Sequence, residues 1–133
     1  MTPKLRALLI LALTTIGFSR SASAADRNGA FKPGEYPVKG RATLSVAGDT
    51  ARVELSDNFE TRSGPDLFVL LHREKKPTSY DAKDYVNLGV LKQIKGKQAY
   101  AVPEKVNSKR YRSVVIWCKK FDVTFAYAPL EDG

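Results

Sequence analysis

The chain has 133 residues, with 22 lysines and arginines against 14 aspartates and glutamates, for a formal net charge of +8. One histidine, one cysteine and one methionine cannot assemble a blue-copper or structural zinc site, and a single cysteine cannot make the C-x-x-C-H attachment of covalent haem. A Ser-His-Asp hydrolase could recruit only His72, and no G-x-S-x-G elbow exists to present a serine.

The first segment, MTPKLRALLILALTTIGFSRSASA, carries basic Lys4 and Arg6, an apolar stretch from Ala7 to Phe18, and a small-residue ending Ala22-Ser23-Ala24. That order is the pattern of a cleavable secretory signal peptide over residues 1–24. The apolar stretch is interrupted by Thr14, Thr15 and Gly17 and is too short to span a bilayer. The expectation is an exported protein, periplasmic or extracellular, with no integral membrane segment in its mature chain. Residues 25–133 are then one domain, long enough to form a core without disulfides and expected to be monomeric.

The mature part stays basic after Lys4, Arg6 and Arg20 leave, but its lysines are spread over several segments with no block of five or six like charges. Export directs any basic surface toward anionic envelope components rather than nucleic acid.

From Val38 to Val46 apolar and polar residues alternate, which predicts a half-buried strand. Ala47-Gly48-Asp49-Thr50 supplies a turn, and Ala51, Val53 and Leu55 alternate again, completing a hairpin. DLFVLLHR (66–73) is apolar on both faces until His72 and belongs inside a sheet. REKKPTSYDAKD (73–84) reads as a polar loop. YVNLGVL (85–91) and QAYAVP (98–103) are shorter strands around a Lys95-Gly96-Lys97 turn, and Glu104–Tyr111 allows a single helical turn. SVVIWC (113–118) and DVTFAYA (122–128) are rich in β-branched and aromatic residues. Seven or more short strands without a long helix predict an all-β fold, an antiparallel β-sandwich or barrel-like domain.

The chemistry that survives the count is what one thiol can do. In an alternating strand Val114, Ile116 and Cys118 share one face, and Ser113, Val115 and Trp117 the other. Cys118 is then either a buried packing residue or a partly exposed thiol with Lys119 and Lys120 as thiolate stabilisers. Periodicity leaves both open. The link to Phe121 lacks the Gly or Asn of a tight hairpin, so a bulge or corner is expected after Cys118.

NFETRSGPDLFVLL, YVNLGVLKQIKGKQAYAVP and YRSVVIWCKKFDVTFAYAPL, in that order and spacing, resemble the DM13 domain. The shared anchors are Gly64-Pro65-Asp66-Leu67, Leu88-Gly89 with Leu91, Gly96, Tyr100, Pro103 and the Trp117-Cys118 pair. The resemblance implies an extracytoplasmic β domain with a redox or electron-transfer role centred on its characteristic cysteine, a position held by Cys118. Gly64, Pro65 and Asp66 read equally well as a turn entering a strand, with Asp66 also placed to pair a lysine near Cys118, and Trp117 as core. Many similar sequences carry histidine where this chain has Tyr36, and His72 does not replace it by motif; His72 reads as a satisfied structural histidine.

No cofactor is assigned. Non-covalent haem is the one group for which a ligand atom, the Cys118 sulfur, is present. Two functions follow. In one, Cys118 cycles between a thiol and an oxidised or mixed-disulfide form with a partner protein or small thiol. In the other, the domain binds an anionic envelope component through basic loops at Lys75-Lys76 or Lys95–Lys97, and Cys118 is packing.

Overall fold

The computed structural model describes residues 25–132, so the signal-peptide segment lies outside the described residues. Ten strands follow one another: β1 (Ala25–Ala30), β2 (Lys32–Pro33), β3 (Arg41–Ala47), β4 (Thr50–Leu55), β5 (Leu67–His72), β6 (Tyr85–Val90), β7 (Gln98–Val102), β8 (Ser113–Cys118), β9 (Val123–Pro129) and β10 (Glu131–Asp132). They form two five-stranded sheets, ordered β10-β1-β3-β4-β7 and β2-β9-β8-β5-β6, with all pairings antiparallel. The fold is an all-β sandwich, as the strand spacing predicts. Two single 3₁₀ turns, Ala82–Asp84 and Ser108–Arg110, are the only helical pieces among the described residues, the second inside the expected Glu104–Tyr111 turn.

Alternation places one face of each sheet in a shared interior. Leu44, Val53, Leu55 and Tyr100 from the first sheet meet Val69, Leu71, Val114, Ile116 and Cys118 from the second. The hairpin β3–β4 has the expected register, Ala47 opposite Thr50. Its first strand starts later than the alternation suggests. Gly40 has a φ of 106°, a conformation that breaks a strand, and a Cβ there would lie 2.7 Å from the Phe59 Cα. Lys39 is left with an isolated bridge to Glu60.

β1, β2 and β10 carry no apolar alternation and were not expected. β1 nevertheless pairs along its whole length with β3. Its buried position is Gly29, where a Cβ would stand 1.7 Å from the carbonyl oxygen of Pro129. The signal for this strand is a close backbone approach, not a hydrophobic side chain.

The central strands β5 and β8 are covered on both faces. Leu70, Val115 and Trp117 point away from the interior into a second, smaller cluster with Phe68, Tyr80, Tyr85 and Tyr127. Its lid is the 73–84 segment, read from sequence only as a polar loop. His72 fastens that lid: its Nε2 lies 2.7 Å from the Ser79 carbonyl oxygen, and its Nδ1 accepts the Glu74 backbone N–H at 3.0 Å. With Nδ1 accepting, the pair of bonds assigns the donor role to Nε2. Ser113 Oγ adds a bond to the Glu74 carbonyl at 2.7 Å, and Thr78 donates both its N–H and its hydroxyl to Glu74 Oε1. His72 is the satisfied structural histidine that its strand-end position suggests.

Candidate functional site

Cys118 ends β8 on the interior face, flanked by Leu67 on β5 and Val123 on β9, with none of its surface exposed. It is a free thiol. The chain then makes a four-residue turn, Lys119–Asp122, with the Asp122 N–H donating to the Lys119 carbonyl at 3.2 Å. The register irregularity sits earlier than expected, between Ile116 and Trp117. It is absorbed by β9, where Phe125 is the extra residue: Ile116 faces Ala126 and Trp117 faces Thr124. A bulge on the partner strand leaves the direction of the cysteine side chain unchanged, so Cys118 stays on the face of Val114 and Ile116, which is the interior one.

The two lysines do not reach inward. Lys119 Nζ lies over the ring of Phe68, 5.9 Å from its centroid, and Phe68 belongs to the outer cluster. Lys119 therefore projects on the side of the sheet opposite the sulfur. Lys120 Nζ lies 5.6 Å from the Phe121 ring, which is 62% exposed at the turn. Asp66 meets Lys119 through its backbone, its carbonyl oxygen accepting the Lys119 N–H at 3.0 Å. Gly64 faces the ring of Phe125, where a Cβ would come within 2.8 Å of Cζ. Gly64-Pro65-Asp66 is thus the turn that locks the start of β5 against the end of β8. Tyr36 packs edge-on against Phe125 at 4.6 Å, under the guanidinium of Arg62.

Behind Cys118, on the outer face, Trp117 is 5% exposed. Tyr80 stacks on it at 4.8 Å and 19°, and Tyr85 lies 5.5 Å away. The indole Nε1–H donates to Asp122 Oδ1 at 3.1 Å, and the Tyr80 hydroxyl bonds the hydroxyl of Thr124. Sequence reasoning found Trp117 but missed Tyr80, Tyr85 and Asp122. The available signal was a lone aromatic, Tyr80, inside an otherwise polar loop.

Burial pushes the Tyr80 phenol up from its ordinary 10.0 to about 12, against the opposing effect of its bond with Thr124. In the unfolded chain the same phenol ionises first. Folding stability is therefore intact below pH 10 and should fall as the pH rises toward 12, where ionised Tyr80 no longer fits the stack. Denaturation midpoints measured across this alkaline range check it, and Tyr80→Phe should flatten the dependence.

Among the described residues no three His, Cys, Asp or Glu side chains gather into a metal site, and no helix is long and apolar enough to cross a membrane. The residues around Cys118 do not fit haem either. Leu67, Val123 and the interior side chains close on the sulfur, which has no exposed surface from which to ligate an iron.

A family model described as "Electron transfer DM13" matches residues 30–130. No curated protein and no solved structure matches the chain.

Proposed function

We propose an electron-transfer role for this chain, which belongs to the DM13 family, with Cys118 as its redox thiol and an exported, periplasmic or extracellular, place of work. The observation that carries the reading is where the family's cysteine falls: the last residue of a central strand, one residue before an exposed turn. In the resting fold the sulfur is sealed. Opening of Lys119–Asp122 and the neighbouring end of β9 would uncover it without unfolding the sandwich, since strand ends and turns open at lower cost than core strands. Once open, the ammonium groups of Lys119 and Lys120 favour the thiolate. That thiolate attacks one sulfur of a disulfide on a small molecule or partner protein, forming a mixed disulfide and releasing the other sulfur as a thiolate. A second external thiol then resolves the pair, because the chain has no other cysteine.

The complete burial of Cys118 favours a second reading, in which the sulfur is packing and the domain is a binding module for an anionic envelope component. Lys75-Lys76 and Lys95–Lys97 are its candidate contacts, and its association weakens with salt and survives Cys118→Ala. A disulfide reagent applied to the folded protein separates the two. Under the redox reading Cys118 reacts faster than the chain globally unfolds. Reaction that waits for global unfolding, together with unimpaired salt-sensitive binding by Cys118→Ala, would reject it.

A further inference from the structure

Trp117 is the only tryptophan of the chain, and its surroundings are more specific than packing requires. Its indole N–H is bonded to a carboxylate, Asp122 Oδ1. Asp122 in turn has a φ of 54°, the one non-glycine residue with positive φ among the described residues. Glycine closes such a turn most readily, and aspartate tolerates it. What aspartate adds and glycine cannot supply is a carboxylate held on the indole.

We infer that Trp117 is a one-electron redox site, with Asp122 as the acceptor of its indole proton and the stacked Tyr80 and adjacent Tyr85 as its aromatic path toward the surface. The inference deepens the electron-transfer reading and rests on it. An indole that has lost an electron is a far stronger acid than the parent ring, so a base on Nε1 lowers the cost of oxidation. One electron passes to an oxidised metal-centred carrier outside the domain, the N–H proton moves to Asp122 Oδ1, and a neutral indolyl radical remains. One electron from a reduced carrier of the same class, with the proton returned from Asp122, restores the closed shell.

The setting suits both halves of the cycle. Trp117 is almost fully buried, which shields the radical from water. The Lys119 ammonium lies over Phe68, the cross-strand neighbour of Trp117, where its charge disfavours an indole radical cation and favours the neutral, deprotonated form. Tyr85 is half-buried and so reaches the surface; it lies 5.5 Å from Trp117 itself and 6.2 Å from Tyr80, which stacks on the indole at 4.8 Å. Cys118 is the next residue, on the opposite face of the same strand.

The test is flash photo-oxidation of the folded protein by ruthenium(III) tris-bipyridine, read by transient absorption and electron paramagnetic resonance. A neutral indolyl radical is expected in the wild type, with loss of the tryptophan signal in Trp117→Phe. Asp122→Asn tolerates the left-handed turn and can still accept the indole N–H, but it takes up no proton; the radical should shift to the protonated cation. This second variant carries the test even if Trp117→Phe folds poorly. Tyrosyl radicals alone in the wild type, or a neutral radical unchanged by Asp122→Asn, would overturn the assignment. Cys118→Ala should keep the Trp117 radical. A radical that persists while Cys118 proves unreactive sinks the thiol reading alone, and a reactive thiol without a tryptophan radical sinks this one alone.

Discussion

Trp117→Ala should destabilise the domain by about 3–5 kcal/mol, the range for removing a buried aromatic from a packed site. The side chain is 5% exposed and holds three partners at once: Tyr80 in a stack, Tyr85 at an angle, and the Asp122 carboxylate through its N–H. Its loss leaves a void between the lid and the sheet and strips Asp122 of its partner. The damage is asymmetric. His72 and Ser113 still hold Glu74, and His72 still holds the Ser79 carbonyl, whereas Tyr80 loses the ring it lies on. Amide exchange should therefore accelerate most from Tyr80 to Ala82 and in the Lys119–Asp122 turn, with the interior face of β3 and β4 least affected. Far-ultraviolet circular dichroism against urea is the measurement, since the variant has no tryptophan to report by fluorescence. A midpoint that falls with an unchanged slope marks lost stability without a change in the unfolded chain. Trp117→Phe should recover part of the loss.

The strands that could be read from the sequence are those whose side chains carry the pattern. β3 and β4 alternate, β5 and β8 are apolar on both faces, and each was placed to within a residue or two except where Gly40 breaks the first. Period two also separates the two faces of β8, Cys118 from Trp117, but which of them faces the shared interior is visible only in the fold. What failed to show was structure written in the backbone. β1 is a full partner of β3, yet its inward residue is Gly29, chosen for contact with Pro129 and invisible to any hydrophobic count. The lid loop looked merely polar because its one packing residue, Tyr80, has no repeat around it.

The site was legible only halfway. The strand that ends in Cys118 could be placed from the sequence, but where Lys119 and Lys120 lie relative to the sulfur depends on the turn that follows it. In the closed turn Lys119 lies over Phe68 of the outer cluster. Asp122 was unreadable because its role depends on a left-handed turn that brings it back under the indole five residues earlier.

Phe59→Ala should cost a similar amount, about 3–5 kcal/mol, by a different route. Phe59 looks like a loop residue in SDNFETRSG, yet none of its surface is exposed and its ring lies 5.3 Å from Phe31. Its backbone is equally tied, the N–H donating to the Ser56 carbonyl at 3.0 Å and the carbonyl accepting from Gly96 N–H at 2.8 Å. It plugs the interior beside Phe31, bonded to Ser56 and Gly96 and to no residue of the Lys119–Asp122 turn, so its removal weakens the sandwich rather than the exit beside Cys118. That separation makes it a probe of how the thiol is reached. If Cys118 is exposed only by global unfolding, a loss of about 3–5 kcal/mol should speed its reaction with a disulfide reagent by a factor of roughly 10²–10⁴. If the turn and the end of β9 open by themselves, the rate in Phe59→Ala should stay close to that of the wild type while its urea midpoint falls. Trp117→Ala, which frees Asp122 and loosens the turn directly, should then accelerate the reaction more than Phe59→Ala at equal stability. Equal acceleration in the two variants would place Cys118 in the global unfolding unit and leave the sulfur a packing atom.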